Sequence, residues 1–99
     1  MPLKTTPFDP AEYLDDDEAI SAYIDEAIAT GDAGFIAKCI GDVARARGMT
    51  QIAKDSGLSR ESLYKALSPN GNPEFATILK VITALGLKLT VAHAEPGPA

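Results

Sequence analysis

The chain has 99 residues, 45% of them hydrophobic, and a net charge of −5. That length suits one domain that buries about two-thirds of its unfolded surface. A lone cysteine, Cys39, excludes an internal disulfide scaffold and suits a buried role in a reducing cytosol. No run reaches the ~20 apolar residues that span a bilayer. "MPLKTTPFDP" lacks the apolar core of a signal peptide. The expectation is a cytoplasmic protein.

The charge is segregated. Residues 1–34 carry nine acids against Lys4, a net of −8, whereas residues 35–67 carry six bases against Asp42, Asp55 and Glu61, a net of +3. The last third is neutral. Such asymmetry points to two partners of opposite sign.

In chain order, residues 1–14 read as an N-terminal arm, extended over 1–9 with a short turn opening at Pro10. Pro2, Pro7 and Pro10 oppose helix, and Phe8 can anchor the arm to a surface. The domain proper is expected over residues 15–93. "DDDEAISAYIDEAIAT" sets Ile20, Tyr23, Ile24, Ala27 and Ile28 at three- and four-residue steps, the period of a helix. Its leading acids favour the helix dipole and can cap. A second helix is expected over 32–47, with Phe35, Ile36, Cys39, Ile40 and Val43 as its apolar stripe. Arg45 and Arg47 lie in its last turn, and Gly48 ends it. Thr50 is expected to cap a third helix, 50–56, closed by Gly57. Ser59 is expected to cap a fourth, 60–67. After the loop "SPNGN", Asn72 is the expected cap of a fifth helix opening at Pro73, with Phe75, Ile78, Leu79, Ile82 and Leu85 inward. "LKLTVAH", 87–93, changes to an alternating period, which is a strand signal. A lone strand leaves its backbone groups unpaired. Leu87, Leu89 and Val91 are therefore expected to pair with a second copy across a two-fold axis, giving a homodimer. Residues 94–99 are expected to be a disordered tail.

The most specific signal is "QIAKDSGLSRESLYKAL", 51–67. Ala53 is small where the next helix crosses, and Gly57 lies where the turn needs a positive φ. Ile52, Leu58, Leu63 and Leu67 face inward. The Ala53–Gly57–Leu63 spacing is that of a DNA-binding helix-turn-helix. With its flanks, "RGMTQIAKDSGLSRESLYKALSPNGNPEFATILKVITALGLKLTV" closely resembles the addiction-module antidote proteins, lambda-repressor-like antitoxins of type II toxin–antitoxin systems. "FDPAEYLDDDEAISAYIDEAIATGD" resembles the leading segment of the same family, so the likeness covers about residues 7–93.

The resemblance implies an all-α, five-helix, lambda-repressor-like domain with one C-terminal strand. It implies a dimer that neutralises a basic toxin of the RelE/ParE-like superfamily and represses its own operon by binding operator DNA. It implies no enzymatic activity, no cofactor, no metal and no small-molecule substrate. The alternative is a stand-alone helix-turn-helix repressor without a toxin partner.

In such a domain the fourth helix enters the major groove by its N-terminal end. Arg60 can bond a guanine at two acceptors. Ser59 and Ser62 can reach phosphate or base, and Tyr64 and Lys65 lie outward. Thr50 and Gln51 are expected to clamp a phosphate, aided by Lys54, with Asn70 on the other side. Toxin contacts are expected on the acidic helix, at Asp15, Asp16, Asp17, Asp25 and Glu26, with Phe8 and Tyr13 as apolar anchors. Tyr23, Ile24 and Ile28 are expected in the core. His93 has no carboxylate or cysteine at ligand spacing. No Gly-rich phosphate loop, nucleophile elbow or histidine pair suggests catalysis.

Overall fold

The computed structural model describes residues 16–94. The expected arm with Phe8 and Tyr13, Asp15, and the tail beyond Ala94 lie outside the described residues. Five helices follow in order: α1 (Asp17–Ala29), α2 (Ala33–Arg47), α3 (Met49–Ser56), α4 (Arg60–Ala66) and α5 (Phe75–Ala84).

Each boundary has a local cause. Asp16 caps α1 by accepting from the Ala19 N–H at 2.7 Å, and Asp17 and Glu18 occupy the first turn. Asp32 caps α2 through the Phe35 N–H at 3.1 Å. Ser59 caps α4 through the Ser62 N–H at 3.0 Å. Each such cap contributes about 1 kcal/mol. Two expected caps are corrected. Helix α3 begins one residue earlier than expected, because the Gly48 carbonyl already accepts from Ile52 N–H, so Thr50 is inside the helix and not its cap. Helix α5 begins at Phe75, not Pro73. Glu74 is still extended (φ −65°, ψ 152°), and its carbonyl accepts the first helical bond from Ile78, leaving Asn72 outside.

The core gathers one side of every helix. Ile20 and Ile24 of α1 meet Ile40, Val43 and Ala44 of α2, Met49, Ile52 and Ala53 of α3, Leu63 and Leu67 around α4, and Val81, Ile82 and Leu85 around α5. Burying each large aliphatic side chain stabilises by about 1.5–3 kcal/mol. Helix α1 packs on α2, α2 on α3 and α4, and α3 on both α4 and α5. The inward stripes differ from expectation at four residues. Phe35, Phe75 and Leu79 are exposed, and so is Ile28. On α5 the inward positions are Ile78, Val81, Ile82 and Leu85, so Val81 is inward where Phe75 and Leu79 were expected.

A polar clasp joins the first two helices. The Tyr23 hydroxyl of α1 donates to Asp42 Oδ2 of α2 at 2.8 Å, Lys38 Nζ donates to the same oxygen at 3.0 Å, and Arg45 pairs with Oδ1. Burial alone would raise the Asp42 carboxyl. The bonds from Lys38, Tyr23 and Arg45 outweigh that and hold it below its ordinary value. Burial, then the bond to Asp42, pushes the Tyr23 phenol up. Arg47 of α2 pairs with Asp17 of α1.

The segment expected as a strand, 87–93, has no regular structure in the single chain, and no strand occurs among the described residues. An extended segment needs a ladder partner to become a strand, and one copy supplies none.

Candidate functional site

Helices α3 and α4 are joined by a tight turn at Gly57. Its φ of 77° is left-handed, a conformation that costs glycine nothing and other residues about 1 kcal/mol or more. The N–H groups of Gly57 and Leu58 both donate to the Ala53 carbonyl, at 3.0 and 3.1 Å. The chain therefore reverses at once. Leu63 is fully buried under the pair and Leu67 nearly so. With Leu63 turned inward, Ser59, Arg60, Glu61, Ser62, Tyr64 and Lys65 all face solvent.

All nine residues expected at a nucleic acid are exposed: Thr50, Gln51, Lys54, Ser59, Arg60, Ser62, Tyr64, Lys65 and Asn70. Their polar groups are not equally available. The Ser59 hydroxyl is used as the cap and donates to Ser62 Oγ at 2.9 Å. The Gln51 amide donates to Asp55 Oδ1 at 2.9 Å. The Arg60 guanidinium lies over the Tyr64 ring, 5.8 Å from its centroid, which pre-orders both side chains. Of the six bases in the middle of the chain, Lys38, Arg45 and Arg47 are paired with acids on α1 and α2. Lys54, Arg60 and Lys65 make no ion pair among the described residues. The bases of the middle third that make no such pair thus lie on α3 and α4, which carry Asp55 and Glu61 beside them.

The acidic residues sit apart from this group in the sequence and play several parts. Asp16 caps α1 and Asp17 holds Arg47, so both have structural partners. Asp25 and Glu26 are exposed and face outward. Ile24 is in the core as expected, Tyr23 is half-buried, and Ile28 is 41% exposed, contrary to expectation. Beside Ile28, α1 and the segment 87–90 enclose an open groove of about 420 Å³.

The three expected dimer residues behave differently. Leu87 packs half-buried against the core, Leu89 lines the groove, and Val91 is 98% exposed. Among the described residues no three His, Cys, Asp or Glu side chains converge to hold a metal ion, and no helix is long and apolar enough to cross a membrane. Cys39 is buried.

Sequence reasoning missed the close packing that seats α4. A Cβ on Gly41 of α2 would lie 2.6 Å from the Leu67 carbonyl oxygen, and one on Gly34 would lie 2.9 Å from that of Pro69. Two glycines seven residues apart on one helix were the available signal.

The family model described as "Probable addiction module antidote protein" matches residues 4–93. The chain belongs to this family. An uncharacterised protein of Haemophilus influenzae is 51% identical over 88 residues, covering 89% of this chain and 91% of its own length. No solved structure matches at the same stringency. The family match takes in all five helices and both flanking segments, so the family is defined over the whole helical unit rather than over the α3–α4 pair alone.

Proposed function

We propose that the chain is the antitoxin of a type II toxin–antitoxin module. It neutralises a basic RelE/ParE-like toxin by direct binding and represses its own operon through operator DNA. The observation that carries this reading is the family match across residues 4–93. The exposure of one whole side of α4 supports the DNA-binding half. On this reading α3–α4 is a lambda-repressor-like helix-turn-helix. Arg60 and Ser62 read bases, Tyr64 and Lys65 lie along the backbone, and Thr50, Gln51, Lys54 and Asn70 hold phosphates. The protein works in the cytoplasm as a homodimer. Its two copies pair by the backbone of residues 89–93, with Val91 as the side chain free to meet its counterpart. It has no catalytic activity of its own.

The toxin meets the acidic α1, where Asp25 and Glu26 remain unengaged by ion pairs among the described residues. Deleting residues 1–34 is not a clean test of this role, because it strips Ile20, Ile24 and Ala27 from the core. Co-expression with the product of the neighbouring reading frame is cleaner. Growth arrest by that product alone, relieved by this chain, supports the antitoxin. A gel shift on its own upstream region, with and without that product, tests repression. A shift without any toxicity to relieve would identify a stand-alone repressor instead.

A further inference from the structure

The groove between α1 and residues 87–90 holds none of the nine residues expected at a nucleic acid. Its lining mixes apolar side chains, Ile24 and Ile28 of α1 with Leu87 and Leu89, with polar ones. Ile28 and Leu89 both line the groove and are 41% and 38% exposed. Its α1 rim is acidic, with Glu18 and Asp25 two turns apart on the same side. Lys88 is its single cationic lining residue.

The geometry points to this groove as the docking site for a basic amphipathic segment of the toxin, apolar side chains seated on Ile28 and Leu89 and lysines or arginines against Glu18 and Asp25. This rests on the antitoxin reading above and names the surface that carries it.

The other occupants fit less well. Residues 16–34 hold six acids and no base. A two-fold dimer through this face would set that helix against itself, acid against acid, because an isologous interface apposes the same patch. Seating the basic middle of a second copy in the groove instead would take up the bases of α3 and α4 that the DNA reading needs. The leading segment 1–15 carries Asp9, Glu12 and Asp15 against Lys4, so it too is acidic. Phosphates of a nucleic acid meet the same repulsion. A cationic partner gains where each of these loses. The role of Leu89 thereby moves from the dimer to the toxin, and Val91 is left for the dimer.

The test is an NMR titration of the full chain with a synthetic 14-residue leucine–lysine amphipathic peptide, and with the leucine–glutamate peptide of the same pattern. Amide shifts confined to residues 18–28 and 87–90, with the lysine peptide binding at least tenfold tighter, support the docking site. Asp25→Lys and Ile28→Ser, both at exposed positions, should each weaken the lysine peptide about tenfold while the helical circular dichroism is unchanged. Equal binding of the two peptides, shifts elsewhere, or no shifts overturn it. So does a change of oligomeric state in Ile28→Ser on sedimentation, which would assign the groove to a second copy. Relief of toxicity separates the two levels of the claim. If Asp25→Lys/Ile28→Ser still relieves growth arrest, the groove assignment falls and the antitoxin stands. If the unaltered chain relieves nothing, the antitoxin reading falls and takes the groove's toxin with it.

Discussion

The Tyr23 hydroxyl donates to Asp42 Oδ2 at 2.8 Å and so ties α1 to α2 at the edge of the core. The same carboxylate takes Lys38 and Arg45 from its own helix. Tyr23→Phe removes one donor and leaves Asp42 two others, so it should cost about 1 kcal/mol. Asp42→Ala removes the shared acceptor and should cost more, about 1–3 kcal/mol. Urea denaturation of the two variants and their double mutant measures the coupling. Additive losses would mean that the pair does not interact.

The same clasp fixes a pH dependence. The Asp42 carboxyl is depressed in the folded state, by the bonds that outweigh its burial. Its contribution is therefore complete above the ordinary aspartate pKa of about 4 and is lost as pH falls through the depressed folded value. Tyr23 runs the other way. Its phenol is raised, so its contribution is complete below the ordinary tyrosine value of about 10 and is lost as pH climbs from there. Melting temperatures from pH 2 to 11 should fall at both ends, and Asp42→Asn should flatten the acid limb. An acid limb unchanged in Asp42→Asn would assign that limb to other carboxylates.

Arg60 stands at the start of α4, held over Tyr64 and without an acidic partner among the described residues. Arg60→Ala should weaken specific DNA binding by about 1–3 kcal/mol and relax discrimination at one base position. Lys65→Ala should weaken all sequences alike and reduce the salt dependence by about one phosphate. Gel shifts across salt concentrations separate the two. Loss of affinity in Arg60→Ala that is equal for operator and random DNA would make Arg60 a phosphate contact.

What the sequence made legible was local. Gly57 and the Ser59 cap depend on neighbours within four residues, and each sits where its spacing placed it. The inward face of α2 through Ile36, Ile40 and Val43 follows from period alone. The misplaced residues are those for which period leaves a choice. Val81 fits the α5 stripe with Ile78 and Leu85 as well as Leu79 fits it with Phe75 and Ile82, and only the position of α3 decides between them. Ile28 continues the α1 stripe, yet it is 41% exposed and lines the groove with Leu89. Contacts between distant residues left no local trace. Tyr23 and Asp42 are nineteen positions apart, and nothing in either neighbourhood says which turns of α1 and α2 meet.

Gly41 tests how closely α4 is seated. An added Cβ would sit 2.6 Å from the Leu67 carbonyl oxygen and 3.2 Å from Leu67 Cβ. The first contact is with backbone, so α4 must move or the site must strain. Gly41→Ala should cost about 1–3 kcal/mol, against the ~1 kcal/mol that alanine ordinarily gains over glycine within a helix. Because Leu67 ends the helix that bears Arg60 and Ser62, DNA specificity should fall along with stability. A Gly41→Ala chain that melts higher than the original would show that α4 has slack against α2.

Val91 is 98% exposed, and a β-branched residue so placed gains nothing in a monomer. Two antiparallel copies of residues 89–93 would pair the backbone groups that one copy leaves to water, and would set the two Val91 side chains on one face across the two-fold axis. Val91→Asp places like charges there, and a cross-strand pair of that kind is destabilising. The variant should shift the sedimentation equilibrium towards monomer, while the helices and the Tyr23–Asp42 clasp, which lie within one copy, keep their melting behaviour at high protein concentration. Leu89→Asp should act differently, since Leu89 faces the α1 groove: the dimer should persist and the lysine peptide should bind less tightly. Should Leu89→Asp break the dimer while Val91→Asp leaves it whole, the roles of Leu89 and Val91 have been assigned the wrong way round.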